Sequence, residues 1–161
     1  MALCVVTALG VWELLSYYPE LPDQVASHFS AGGLPNGYSS KESFLTAFCT
    51  VLGSVFVVTG GLASCLRFIP SSMINIPHSG YWLAPERRPA TIAVLSGVLL
   101  WGGAVTQLFV GATIVWTVRF NLGEDVAWPV AVLWTMLGGY IATMLVGVVW
   151  LFKRFARPST E

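Results

Sequence analysis

Charge is what this sequence has least of: only 10% of its 161 residues are Asp, Glu, Lys or Arg, against about 25% in an ordinary soluble domain. That leaves too little polar surface to cover a particle in water. The few charges also cancel, eight Lys plus Arg against eight Asp plus Glu, so no global field exists to attract nucleic acid, and nucleic acid is not an expected partner. Cysteine is scarce as well. Cys4, Cys49 and Cys65 stand singly inside apolar runs, without CxxC spacing or a Cys/His cluster, so they read as small packing residues and imply no zinc site or redox role. No Ser, Cys or Lys nucleophile sits beside a base in a motif, and no glycine-rich phosphate loop follows a strand; no catalytic residue and no cofactor is assigned. Ionisable residues are rare within the apolar runs and the two halves show no internal repeat, which argues against a transporter. The N-terminal stretch lacks the Lys/Arg region and the small-residue cleavage site of a signal peptide, so it is expected to stay as an anchor.

What the chain does have is 55% hydrophobic residues gathered into four long runs. At about 1.5 Å rise per residue each is long enough for a hydrocarbon layer about 30 Å thick. The expected spans are residues 2–18, 44–69, 91–120 and 127–152, with an outer loop at 19–43 and an inner loop at 70–90. The reading is an all-α membrane protein, one domain over 1–161 folded as a four-helix transmembrane bundle. Glu13 near the end of the first run lies about a turn from Tyr17 and Tyr18 and can reach the interface; the third run should tilt or project beyond the membrane.

The breaks differ chemically from the spans. Residues 18–41 hold three prolines, Gly32 and Gly33, and an Asn36-Gly37 turn pair, and read as a connecting loop with turn structure. Ser39 and Glu42 have capping-box spacing at the start of the second span. Pro85 and Glu86 suit the first turn of the third helix, and 121–125 reads as a short turn around Gly123. Arg67, Arg87, Arg88, Lys153, Arg154 and Arg157 fall on one side, against Lys41 and Arg119 on the other. The positive-inside rule then puts both termini in the cytoplasm. Trp12, Tyr17, Tyr18, Trp116 and Trp128 would mark the outer interface and Trp150 the inner one.

Within the bilayer, Gly139, Thr143 and Gly147 on the last span, and Gly103, Gln107 and Gly111 on the third, recur every four residues as contact ridges. Gln107 is expected to hydrogen-bond another helix, because an amide in hydrocarbon must find a partner. His28 and His78 fall on opposite faces, about 30 Å apart, and cannot share a metal.

At the outer loop, LPDQVASHFSAGGLPNGYSSK resembles the signature of a bacterial membrane family, domain of unknown function 1648, which also forms the N-terminus of SdpI-type toxin-immunity proteins. The residues that carry the resemblance are Pro22, His28, Phe29, Gly33, Pro35, Asn36, Gly37 and Lys41. Ala26 and Ser30 depart from it, standing where proline and asparagine are frequent. The inner string NIPHSGYWLAPERR is similar to longer relatives through Asn75, Pro77, Tyr81, Trp82, Pro85, Glu86, Arg87 and Arg88.

Three functional readings follow. The first is a non-catalytic accessory or scaffolding subunit packed against other membrane subunits or itself. The second, which the resemblance implies, is peptide sensing or toxin immunity, although the additional spans of the larger immunity proteins are missing. The third is a metal-dependent enzyme using His28 with Glu20 and Asp23. Beside all three stands a structural reading, in which His28 and Lys41 only hold the loop, Glu86 caps a helix, and Arg87 and Arg88 meet anionic headgroups.

Overall fold

The computed structural model describes residues 1–123 and 130–156. Trp128 and Arg157, which enter the expectations above, lie outside them, as do residues 124 and 125 of the expected 121–125 turn and residues 127–129 of the expected last span. Helix α1 spans Ala2–Tyr17 and ends in a 3-10 turn at Tyr18–Glu20. Strands β1 (Gln24–Phe29) and β2 (Pro35–Ser40) follow, then α2 (Lys41–Cys65), continued by a 3-10 turn at Leu66–Phe68. The connection to the next long helix holds another 3-10 turn, Ser71–Met73, and the short α3, Ser79–Trp82. Helices α4 (Arg88–Asn121) and α5 (Val130–Phe155) complete the described chain.

Among the described residues, four helices are long and apolar enough to cross a membrane, as the hydropathy pattern requires. At 34 residues, α4 is about 51 Å long and outreaches the hydrocarbon layer. It is the mast of the fold: α1 and α2 both pack along it, and α5 lies against it from another side.

The outer loop corrects the expectation of a mere connection. It forms an antiparallel hairpin in which Val25 pairs with Ser39, Ala26 with Tyr38 and His28 with Gly37. The chain reverses at Ser30 to Leu34, not at Asn36-Gly37. Ser30 N–H donates to the Leu34 carbonyl at 2.8 Å and Gly33 N–H to that of Ser30 at 2.9 Å, with Gly33 at φ 78°. A three-residue loop ending on a left-handed residue needs this glycine. The Asn-Gly pair instead lies within β2, where a Cβ on Gly37 would press against the His28 side chain at 3.1 Å.

Two helix starts also differ from expectation. Ser39 remains in the strand with its hydroxyl buried, and it is Ser40 that caps α2 by accepting from Ser43 N–H at 3.2 Å. The third span begins at Arg88 with Pro89 in its first turn, beyond Pro85 and Glu86.

Two apolar cores lie at opposite ends. Leu14, Leu21, Val25, Phe44, Leu52, Ile114 and Val118 close the hairpin onto α1, α2 and α4. Ile74, Leu83 and Ile92 tie the connection before α4 to that helix. Between them Gln107, 1% exposed, donates to the Leu52 carbonyl at 2.7 Å and the Thr7 hydroxyl at 3.0 Å, joining three helices as the sequence required. Of the expected ridges, Gly103 receives Thr59 and Gly147 receives the Trp101 ring, whereas Gly111 and Gly139 face open space. Cys4 and Cys65 are exposed and Cys49 half-buried, so only the last fits a packing role.

Candidate functional site

The residues singled out by the sequence fall at two ends of the bundle. At the hairpin end, β1 would leave a row of backbone groups without partners on the side away from β2. One side chain answers for the most buried of them. Asn121, in the last turn of α4, accepts from Ala26 N–H through Oδ1 at 2.7 Å and donates from Nδ2 to the Ala26 carbonyl at 3.0 Å. The amide thus stands in for one residue of a third strand, and Nδ2 also donates to the Thr117 carbonyl at 2.8 Å, which holds its rotamer.

Phe29 completes the docking, edge-on to Trp116 at 4.6 Å and to Phe120 at 5.1 Å. Trp134 of α5 reaches the Ala31 carbonyl in the hairpin turn at 3.4 Å. Lys41 closes the base of the hairpin: its N–H donates to the Asp23 carbonyl at 3.1 Å, and its ammonium lies 3.4 Å from the Asp23 carboxylate and 5.7 Å from the Tyr18 ring centre. His28 is exposed, its Nδ1 3.0 Å from the Ser27 hydroxyl. Glu20, Asp23 and His28 do not converge; among the described residues no group of three or more His, Cys, Asp or Glu could hold a metal. Gly33 makes the turn, Gly37 admits the His28 ring, and Pro35 pairs with Phe29.

At the other end, the Pro-Glu-Arg-Arg string divides its labour. Arg88 is engaged within the chain. Its guanidinium donates to the carbonyls of Arg67 at 3.2 and 3.3 Å and Ile69 at 2.7 Å, and its Nε to the Ser71 hydroxyl at 3.2 Å. Those carbonyls end α2 and its 3-10 extension, where the negative dipole end favours a cation. Arg87 instead lies over the Tyr81 ring at 4.0 Å. Trp82, 7% exposed, donates from Nε1 to the Phe155 carbonyl at 3.0 Å, and its own carbonyl accepts from the Thr91 hydroxyl at 2.8 Å. Arg154 covers the Trp82 ring at 4.9 Å. Glu86 and Asn75 are exposed.

Asn121, Trp134, Arg154 and Thr91 were not singled out by the sequence. Only Arg154 left a signal, as one member of the basic cluster; Asn121 and Trp134 act through contacts far away along the chain, and Thr91 through the Trp82 carbonyl just before α4.

Residues 3–53 match the family model described as "Domain of unknown function (DUF1648)". The matched segment takes in α1, the hairpin and the first half of α2, so the resemblance carried by the outer string is shown there. No curated protein and no solved structure matches the chain.

Proposed function

We propose that this multi-pass membrane protein is a non-catalytic accessory or scaffolding subunit that packs sideways against a larger membrane complex. One observation supports this above others. The apolar stretch of α5 has none of its residues buried, against 6% for α2 and 22% for α4, and open space lies beside Gly138 and Gly139. Small residues on a lipid-facing span let another backbone come close, which drives helix association where no hydrophobic gain is available. Purification in mild detergent from the native membrane is expected to bring a second protein at constant stoichiometry. A chain that runs alone, or only with itself, overturns the reading.

A second reading, peptide sensing of the SdpI type, draws on the hairpin. Leu34 and Tyr38 project from it, 72% and 63% exposed, and β2 lies on the side of the hairpin away from Asn121. An extended peptide can add to such an edge. Removal of the gene should then alter sensitivity to a membrane-active peptide, and unchanged sensitivity across a panel ends the idea.

For location we propose the bacterial inner membrane with the Arg67, Arg87, Arg88, Lys153 and Arg154 end in the cytoplasm, on the positive-inside rule. Compartment reporters fused at either terminus should both register cytoplasm.

A further inference from the structure

Where the start of α4 meets the end of α5, a crevice of about 200 Å³ is lined by Trp82, Glu86, Arg87, Thr91, Arg154 and Phe155. Two guanidiniums against one carboxylate give its walls a net formal charge of +1, and among the described residues neither arginine is paired with a carboxylate. Arg87 and Arg154 rest on the rings of Tyr81 and Trp82. Held on an aromatic face, a guanidinium keeps its edge N–H groups available to an oxyanion. The first turn of α4 borders the same space through Ala90 and Thr91; its Arg88 N–H is taken by the Ala84 carbonyl and Pro89 has none, so the helix adds only the positive end of its dipole.

A second, apolar space lies further along the same two helices. Gly97, Val98 and Trp101 of α4 face Val146, Gly147 and Trp150 of α5 across a groove of about 350 Å³. Val94, which borders the crevice, precedes Gly97 and Val98 by three and four residues; Trp150 precedes Arg154 by four. Positions so spaced share a helix face, so crevice and groove follow one seam between α4 and α5. A cationic crevice and an apolar slot lined partly by glycine thus lie in line along these two helices.

We propose that this seam binds one anionic glycerophospholipid, its phosphate between Arg87 and Arg154 and an acyl chain along Gly97, Val98 and Val146, beside the Trp101 ring seated on Gly147. A soluble phosphate would satisfy the crevice and leave the slot unfilled; a lipid fills both and joins α5 to α4 where their side chains leave room.

The test is native mass spectrometry of the full chain re-extracted from vesicles of equal phosphatidylglycerol and phosphatidylcholine. The expected result is one retained phosphatidylglycerol per chain, not displaced by excess inorganic phosphate. Arg87→Gln and Arg154→Gln should each weaken retention about ten-fold, as loss of a charge-assisted hydrogen bond does. Val146→Trp, made at a position 69% exposed, should fill the slot and expel the lipid with every charge in place. Lys153→Gln removes the same charge one residue from Arg154, outside the crevice, and should leave retention unchanged. Equal loss in Lys153→Gln and Arg154→Gln, equal retention of phosphatidylcholine, displacement by phosphate, or full retention in Val146→Trp would each overturn the proposal. Val146→Trp decides the matter even if an arginine variant fails to fold.

Discussion

Helices α2 and α5 have the same mean hydropathy, 1.9, over their apolar stretches, yet they live in different surroundings. Helix α2 buries Phe44, Leu52 and Ala63 and is joined to α4 by three specific contacts: Thr59 in the notch at Gly103, the Leu52 carbonyl on Gln107, and the Ser96 hydroxyl on the Ala63 carbonyl at 2.9 Å. Helix α5 meets α4 at separated points. Tyr140 lies 3.1 Å from the Thr106 hydroxyl and stacks on Phe109 at 4.7 Å, Gly147 receives Trp101, and the end of the helix meets Trp82. Hydropathy places a helix in the bilayer and is silent about its neighbours, because lipid solvates leucine as well as another leucine does. Neighbours are chosen by close backbone approach and by polar groups that must be paired.

The sharpest way to break this comparison is at Asn121. Asn121→Leu strands both backbone groups of buried Ala26, so stability should fall by about 2–4 kcal/mol, read by thermal unfolding in detergent together with faster proteolysis of the hairpin. An unchanged melting temperature would show that water satisfies β1 instead.

A pair of glycines comes next. Gly103→Ala drives a methyl into Thr59 and should cost about 1–3 kcal/mol, whereas Gly139→Ala meets nothing within 4 Å and should stay within about 0.5 kcal/mol in the isolated chain. Equal effects would erase the distinction between the packed and the open helix. If Gly139→Ala is silent in the purified chain but lowers recovery of a partner from native membrane, the proposed lateral interface is located.

Gln107→Leu should be milder, about 1 kcal/mol. It removes two hydrogen bonds, but it also removes an amide oxygen that is buried without a partner among the described residues, and the two effects partly offset. Smallest of all is Asp23→Asn at the hairpin base. That carboxylate is 95% exposed, and such pairs contribute at most about 1 kcal/mol.

Much of this was legible beforehand. Four runs of apolar residues name four spans, and a lone amide at Gln107 announces a buried hydrogen bond, since both follow from what hydrocarbon cannot solvate. The hairpin was not legible, because Ser30 to Leu34 and Asn36-Gly37 are both acceptable turns by local chemistry. The choice between them rests on Phe29 reaching Trp116 and Phe120, and on Val25 entering the core with Phe44. The roles of Arg87 and Arg88 were equally hidden: adjacent and alike in charge, they separate only because the end of α2 lies beside one and Tyr81 beside the other.

The amino-acid order alone therefore settles which segments are long and apolar enough to cross a membrane, since transfer of apolar side chains and self-paired helical backbone is a property of each segment by itself. Which spans embrace, where the outer segment turns, and which arginine is left to face the α4–α5 seam were decided only when distant residues met. Each depends on a partner far away along the chain, and local composition carries no record of that partner's position.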